Sequence, residues 1–415
     1  MDGETPRKFA TPPGTRDVLP PESTRMLDVQ ARIRDRFNLF GFREVLTPAL
    51  EYAEVIEEHG LRDVSYKLFD QDNQMLLLRP EMTTPIARVI SQRLAGSPPP
   101  HKLSYVLPAY RRASVGRGQS AELYQAGVEV VGSASPREDA ATIALLVDVL
   151  QSLGLSSPSD FAVVLGQSTF YAGYLRHVVP DAATAVTSAL AAKDLVSVDD
   201  LAGELPTDAA AGVRGIPRIV GPATDKSLIE EAGRFAVGNG ARAALENLRE
   251  ILRHLEAHGV LGAVILDLGL SGRHEYYTGA VYEAYAAGLG FTVANGGRYD
   301  NLLRRFGKEL PATGFAIYLE RLLSVLPEDS PQPLLVLVGG DVSGIEAAAR
   351  LRNLGVPVLH LSEELPPEAA MEYARSVEAA WISYPAAGGV KVATSDPAGE
   401  FVFMSPESVA RMVLP

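Results

Sequence analysis

Among 415 residues there is no cysteine. That absence removes disulfide frameworks, thiolate nucleophiles and cysteine-ligated zinc at once. Histidine is scarce, at seven, so no metal centre is expected and no cofactor is implied. Long apolar runs are missing too. The longest, such as GAVILDLGL at 262–270, fall far short of the roughly 20 residues that cross a bilayer. The opening stretch MDGETPRKFATPPG has neither an apolar signal core nor an Arg- and Ser-rich amphipathic pattern. No membrane association or export is indicated, and a cytoplasmic setting is the expectation. Basic charge is short: 38 Lys and Arg stand against 51 Asp and Glu, a net charge of −13. Nucleic-acid affinity leans on cations that neutralise phosphates, so this balance favours small molecules or protein partners.

What is present is an ordinary globular composition, 47% hydrophobic and 21% charged, long enough for two or three domains. A Pro- and Gly-rich opening loop (11–23) ends at Ser23, a candidate helix cap. Met26, Val29, Ile33, Phe37 and Phe40 then recur at helical spacing. Residues 42–52, FREVLTPALEY, read as a strand running into Pro48. A hairpin (67–71 and 74–79) feeds a helix over about 83–94. Two strands follow, LSYVLPAYRRA and LYQAGVEVVG, joined by a Gly-rich turn. SPREDAATIALLVDVLQSLG is a helix opened by Ser135 or Pro136 and closed by Gly154.

FAVVLG is another strand. From about 168 to 260 the chain turns Ala-rich and helical, an expected insertion into the strand-rich part. Strands resume at 262–270, and 280–297 reads as an antiparallel hairpin. GRYDNLLRRFG opens a helix, and TGFAIYLERLLSVL is a strand end plus helix. Beyond the linker EDSPQPL (328–334), residues 331–415 alternate strands and helices as a small α/β unit: LLVLVGG, GIEAAARLRNLG, VPVLHL, PEAAMEYARSV, GVKVAT and EFVFM.

Several motifs carry chemistry, each with a plain structural alternative. LRPEMTT sets Glu81 and Thr83 at the mouth of a helix, where a carboxylate and a hydroxyl can grip an ammonium group or simply cap the helix. The hairpin 103–132 offers Arg111 to a carboxylate or phosphate, with Gln125 and Glu129 on one face of its returning strand. A polar-faced hairpin can equally be just solvated. NGGRYDNL (295–302) can cradle an anion or turn the chain, and it lacks the Lys-Ser/Thr of a P-loop. In LSGRHEYYTG (270–279), Tyr276 and Tyr277 face opposite sides if extended, one to the core and one to a pocket.

In this order, TPPGTRDVLPPE, the region around Pro48, LLLRPEMTT, LYQAGVEVVG, DLGLSGRHEYYTG and GGRYDNLLRRFG…PATGFAIYLERL resemble the class II aminoacyl-tRNA synthetases, in their histidyl branch. The resemblance covers roughly residues 9–325. It implies an α+β fold, an antiparallel sheet flanked by helices, and dimerisation through the first motif, around Pro48. The expected organisation is a core over 1–327 and a reduced anticodon-binding-like domain over 331–415.

Departures from the synthetase pattern decide the expected function. The second motif, Phe-Arg-x-Glu in the active enzymes, is here Tyr110-Arg111-Arg112-Ala113. Loop arginines are replaced by Gln119 and Ala121, though Arg117 lies near. In the third motif Tyr318 stands where a glycine lets ATP approach, before Leu319-Glu320-Arg321. Gly272 occupies the place of an arginine that stabilises developing charge, and Arg273 sits one position along. Losing such a cation typically costs about 10²–10³-fold in rate.

The amino-acid pocket fares differently. The resemblance carries histidine binding onto Glu81, Thr83, Arg111, Gln125, Glu129, Tyr276 and Tyr277, with no catalytic residue. This combination resembles the ATP phosphoribosyltransferase regulatory subunits, synthetase paralogues without activity of their own. The implied partners are histidine, a short-form catalytic subunit and a second copy of the chain. Residues 331–415 hold ten acidic side chains against five basic ones, which argues against a tRNA partner. Two alternatives stand beside this reading. One is a divergent histidyl-tRNA synthetase, favoured by Arg111, Arg321 and the C-terminal domain. The other is an amino-acid-binding paralogue with some different partner.

Overall fold

In a computed structural model of the chain, which describes residues 10–56, 58–112, 120–270, 277–327, 333–395 and 399–414, the first apolar stripe folds as helix α1 (Glu22–Leu39). Met26, Val29, Ile33 and Phe37 are buried along one side, and Phe40 is half-buried at the C-cap. Ser23 is not the cap. It lies inside the first turn, and the N-cap is Pro21, already near helical geometry, as suits a proline at a helix start.

The strand expected over 42–52 is broken in two, β1 (Arg43–Glu44) and β2 (Leu50–Tyr52). Between them Pro48 has no N–H to give a ladder. The Thr47 and Pro48 carbonyls turn instead to the Arg79 guanidinium, at 2.7 and 3.1 Å. Helix α2 (His59–Val64) leads to the expected hairpin of β3 (Lys67–Phe69) and β4 (Met75–Leu78), which with β2 makes a three-stranded sheet. Next come α3 (Thr83–Arg93) and the long pair β5 (His101–Tyr110) and β6 (Glu122–Val131). Helix α4 (Pro136–Ser152) is capped by Ser135 Oγ, which accepts from the Arg137 N–H at 3.3 Å. Gly154, at φ +96°, follows its end.

After β7 (Phe161–Gln167), the Ala-rich segment opens with five helices and a short strand: α5 (Ser168–Val178), α6 (Ala183–Ala191), α7 (Leu195–Gly203), α8 (Thr207–Gly215), β8 (Val220–Pro222) and α9 (Lys226–Arg234). The fold continues with α10 (Gly238–Ala257), β9 (Val264–Asp267), the hairpin β10 (Ala280–Ala286) and β11 (Thr292–Arg298), β12 (Ala312–Tyr318) and α11 (Leu319–Leu323). The helix expected from 297 is one 3-10 stretch, Leu302–Phe306, ended by Gly307 at φ +74°.

Among the described residues nine strands form one sheet, ordered β1-β5-β6-β12-β11-β10-β7-β9-β8. It is antiparallel except for the β1–β5 and β7–β9 pairs. One face carries α1, α4, α5 and α10, with Ile33, Leu146, Phe170 and Leu248 buried against Val128, Val163 and Phe315. Helices from the Ala-rich segment thus share this core. The opposite face packs Met82, at the N-cap of α3, with Ile86 and Ile90 of that helix on Leu103, Tyr105 and Val131, together with Leu303.

Contacts divide the chain into two units, Met1–Pro327 and Glu328–Pro415. The second comprises β13 (Leu335–Val338), α12 (Val342–Asn353), β14 (Val358–Leu361), α13 (Pro367–Ser376), β15 (Trp381–Ala386), β16 (Gly389–Thr394), β17 (Val402–Met404) and α14 (Pro406–Val413). Its sheet runs β14-β13-β15-β16-β17, with α12 and α14 on one face and α13 on the other. Sequence patterning passes over the central strand β15, since Pro385 argues against a paired strand, and over the short α14. Among the described residues no helix is long and apolar enough to cross a membrane.

Candidate ligand pocket

Strand β6 divides its side chains cleanly. Ala126, Val128 and Val130 enter the helix-covered core, so Gln125, Gly127 and Glu129 point to the other face. There they meet cross-strand rows of small residues. Glu129 pairs with Gly314 of β12, which pairs with Gly297 of β11. Tyr105 of β5 pairs with Gly127, Gly127 with Ala316, and Ala316 with Asn295. Bare positions let large neighbours fold over them. A Cβ on Gly127 would overlap the Tyr105 phenol, and one on Gly314 the Glu129 carboxylate. On Gly297 it would stand 2.7 Å from the Tyr277 ring. The glycines expected to cradle an anion or turn the chain therefore do neither. Gly296 and Gly297 are extended strand, and Gly296 lies in the floor of a cavity.

Glu81, Thr83, Arg111, Gln125, Glu129 and Tyr277 all line that one cavity, beside Tyr105, Asn295, Tyr299 and Tyr318. Tyr276 lies outside the described residues, as do Ala113, Arg117, Gln119, Gly272 and Arg273. Glu81 does what a cap does: its carboxylate accepts from the N–H of Thr83 at 2.5 Å and of Thr84 at 3.0 Å. It does so while buried at the cavity wall, so capping fixes the carboxylate where a ligand can meet it. Arg111 is half-buried, and its Nε donates to the Pro80 carbonyl at 2.7 Å. Among the described residues no carboxylate pairs with the rest of that guanidinium, which keeps its fork for a carboxylate from outside.

Gln125 and Glu129 are buried rather than solvated. The Tyr299 hydroxyl donates to Glu129 Oε2, and the Thr83 hydroxyl bonds to the same carboxylate. Burial dominates nonetheless. It pushes the Glu129 carboxyl up to about 8, the hydroxyls pull the other way, and nearby Glu81 adds to the rise. Burial also pushes the Tyr277 hydroxyl well above its usual range, against a hydrogen bond from the Asn295 amide. Two buried amide oxygens, Gln125 Oε1 and Asn295 Oδ1, have no hydrogen-bond partner among the described residues. Unpaired buried acceptors are costly, and a ligand with N–H groups satisfies them.

Beside the cavity, Tyr318 is buried and the Arg321 guanidinium stacks on its ring, 4.3 Å from the centroid. Phe291 lies 5.1 Å from that cation, and Arg321 Nη1 donates to the Thr292 carbonyl at 2.8 Å. Sequence reasoning missed Tyr105, Asn295 and Tyr299. Two of these sit in NGGRYDNL, where the glycines drew attention from their neighbours, and Tyr105 gives no signal within an apolar strand. It also passed over Glu250, His254 and His258, four apart on and just past α10. His254 Nε2 is 3.6 Å from Glu250 Oε2, but among the described residues no three His, Asp or Glu side chains group as metal ligands do.

Comparison with known proteins agrees with this architecture. A family model for histidyl-tRNA synthetase matches residues 14–322. The ATP phosphoribosyltransferase regulatory subunit of Rubrobacter xylanophilus is 67% identical over 414 residues, covering 100% of both chains. That of Desulforamulus reducens is 34% identical over 386 residues, covering 90% of this chain and 94% of its own. A solved ATP phosphoribosyltransferase regulatory subunit/histidyl-tRNA synthetase from Bacillus halodurans C superposes with a TM-score of 0.81. It is 28% identical and covers 92% of this chain and 99% of its own. Histidyl-tRNA synthetase from Nostoc sp. PCC 7120, at 21% identity, shares the fold with a TM-score of 0.82, covering 97% of this chain and 99% of its own. Two-thirds identity to a regulatory subunit along its whole length, together with the synthetase family match, places the protein: it belongs to the family of ATP phosphoribosyltransferase regulatory subunits, on the histidyl-tRNA synthetase fold.

Proposed function

We propose that the chain is a non-catalytic cytoplasmic subunit that binds histidine in this cavity, activates a short-form ATP phosphoribosyltransferase catalytic subunit and transmits inhibition by histidine to it. The observation that carries the reading is the Arg111 guanidinium, which meets no carboxylate among the described residues, in the same cavity as the buried acceptors of Glu81, Gln125 and Glu129. A cation for a carboxylate and acceptors for an ammonium, on rigid strands and a helix mouth, fit a free α-amino acid. Thr83 joins the ammonium end, and Tyr277 with Glu129 faces the side chain. Histidine then shifts the assembly only by as much as its affinity differs between two arrangements.

The stacking of Arg321 on Tyr318 favours this over a divergent synthetase, because the cation is held by the phenol that stands where a nucleotide would approach. Exposed Leu46, Tyr52, Leu68 and Phe69, on and beside the three-stranded sheet, support self-association through the region around Pro48. The test is calorimetry with histidine, alongside histidine-dependent ATP–pyrophosphate exchange and activation of a purified short-form catalytic subunit. The expectation is saturable binding, no exchange and histidine-sensitive activation. Robust exchange turnover would sink the proposal. Histidine binding without any effect on the catalytic subunit would move it to a paralogue with a different partner.

A further inference from the structure

Tyr105 is the cavity's least explained residue. It lies near the middle of β5, fully buried, in the same apolar cluster as Met82 and Ile86 beside α3. Phenylalanine would fill that place as well, so the hydroxyl needs a reason of its own. Its oxygen has no hydrogen-bond partner among the described residues. Buried phenols ordinarily have one, because an unmade bond leaves the desolvation of the group without compensation. Yet Tyr105 also lines the cavity, where a bound molecule can supply what the chain does not.

Gly127 fixes where that oxygen stands. Tyr105 pairs with Gly127 across β5 and β6, and a Cβ on the glycine would overlap the phenol oxygen. The hydroxyl therefore lies over β6 at Gly127, with Gln125 and Glu129 two residues to either side on the same face. Gln125 is 2% exposed, and its Oε1 is likewise without a partner among the described residues. Along this ladder the groups come in a fixed order: Glu129, the Tyr105 hydroxyl, Gln125 opposite Leu107, and Arg111 just past the end of β5. Glu81, capping α3, lines the same cavity. The order matches an α-amino acid lying along the strands, with its carboxylate at Arg111, its ammonium next and its side chain towards Glu129. A primary ammonium has three N–H groups to place, and a hydroxyl flanked by acceptors keeps a lone pair for one of them.

We propose that the Tyr105 hydroxyl is a ligand-binding group that, with Gln125 Oε1 and the Glu81 carboxylate, completes a three-acceptor seat for a primary ammonium. This rests on the reading that the cavity binds histidine, and it names the residue that closes the ammonium end. A site built to bond N–H groups rejects an analogue lacking them far more strongly than a merely apolar pocket would.

The test is Tyr105→Phe, which removes the oxygen and leaves the ring. Calorimetry, run as competition for weak ligands, compares three molecules. Histidinol keeps the ammonium of histidine but lacks the carboxylate, and imidazolepropionate lacks the ammonium. Tyr105→Phe is expected to weaken histidine and histidinol by the same factor, about tenfold or more, and to leave imidazolepropionate unchanged. Without ligand, Tyr105→Phe is expected to melt at or above the wild-type temperature, since it loses a buried polar group that had no partner. The rise in melting temperature that histidine gives becomes smaller. Gln125→Met, a second variant of similar length, is expected to show the same pattern across the three ligands.

Histidine bound as tightly by Tyr105→Phe as by the wild type overturns the role of Tyr105 and leaves the histidine reading intact. A wild type that binds no amino acid overturns both together. Equal losses for all three ligands, or a lower ligand-free melting temperature with an unchanged histidine effect, assign the hydroxyl a structural role and overturn the inference.

Discussion

Glu129 and Gly314 face each other across β6 and β12, and the glutamate carboxylate occupies the space a side chain on Gly314 would need. Gly314→Ala must therefore displace the carboxylate or the strand. Overpacking of this kind costs about 1–3 kcal/mol. The expected result is a lower melting temperature together with a loss of histidine binding. Gly262→Ala is the control, because nothing lies within 4 Å of a Cβ there, and its melting curve should stay close to wild type.

Glu129 also makes stability depend on pH. Its carboxyl is pushed up to about 8 by burial, above the ordinary value of 4.5 that an unfolded chain would show. Between those values the folded state holds the extra proton. Its contribution is thus fully present below pH 4.5 and is lost as pH rises through 8. The slope approaches about 1.4 kcal/mol per pH unit for one proton. Glu129→Gln removes this titration, so its stability should gain on wild type as denaturant midpoints are followed from pH 5 to pH 8. A gap that does not change with pH would show that Glu129 titrates at an ordinary value.

Much of the pocket was legible because strands announce their faces. Gln125 and Glu129, four apart on a strand, must share a side, and Glu81 and Thr83 stand at a helix mouth whichever role they take. Less legible were features that depend on a partner distant in sequence. Residues 42–52 have the composition of one strand, yet Arg79 takes the Thr47 and Pro48 carbonyls and sends the halves to different sheets. The cavity floor is likewise hidden, because Gly127, Ala316 and Asn295, and beside them Glu129, Gly314 and Gly297, become rows only when β6, β12 and β11 align. Asn295 and Tyr299 gain their meaning from that alignment, and no local spacing reveals it.

Arg79 itself is a buried cation that among the described residues hydrogen-bonds no carboxylate: Nε donates to the Pro108 carbonyl at 2.8 Å, and Nη1 serves Thr47 and Pro48. Burial lowers its proton affinity. Arg79→Met keeps the stem but leaves three carbonyls without their donor, at about 1–3 kcal/mol for each group that water cannot reach. A melting-temperature loss larger than that of Gly314→Ala is expected. Arg79→Lys should recover only part of it, since one ammonium cannot span β5 and the 47–48 turn together.

Arg298 and Asp139 join the end of β11 to the first turn of α4, with Nε to Oδ2 at 3.0 Å and Nη2 to Oδ1 at 2.9 Å. Both are buried, and the guanidinium also reaches the Ser133 carbonyl at 3.0 Å. Removing one partner strands the other, so Arg298→Met should cost about 3–5 kcal/mol. Burial already pushes the Asp139 carboxyl up against the pull of Arg298. Without that pull it rises further, and an Asp139 that can protonate costs less to bury. The deficit of Arg298→Met, measured by denaturant unfolding, is therefore expected to shrink from pH 8 to pH 5. The double variant Asp139→Leu with Arg298→Met should regain much of the loss at pH 8, because no buried charge is left unpaired and Asp300, which Arg298 also bonds at 3.2 Å, is partly exposed to water. If the double variant is no more stable than the single, the pair is holding β11 to α4 through attraction rather than merely cancelling two buried charges.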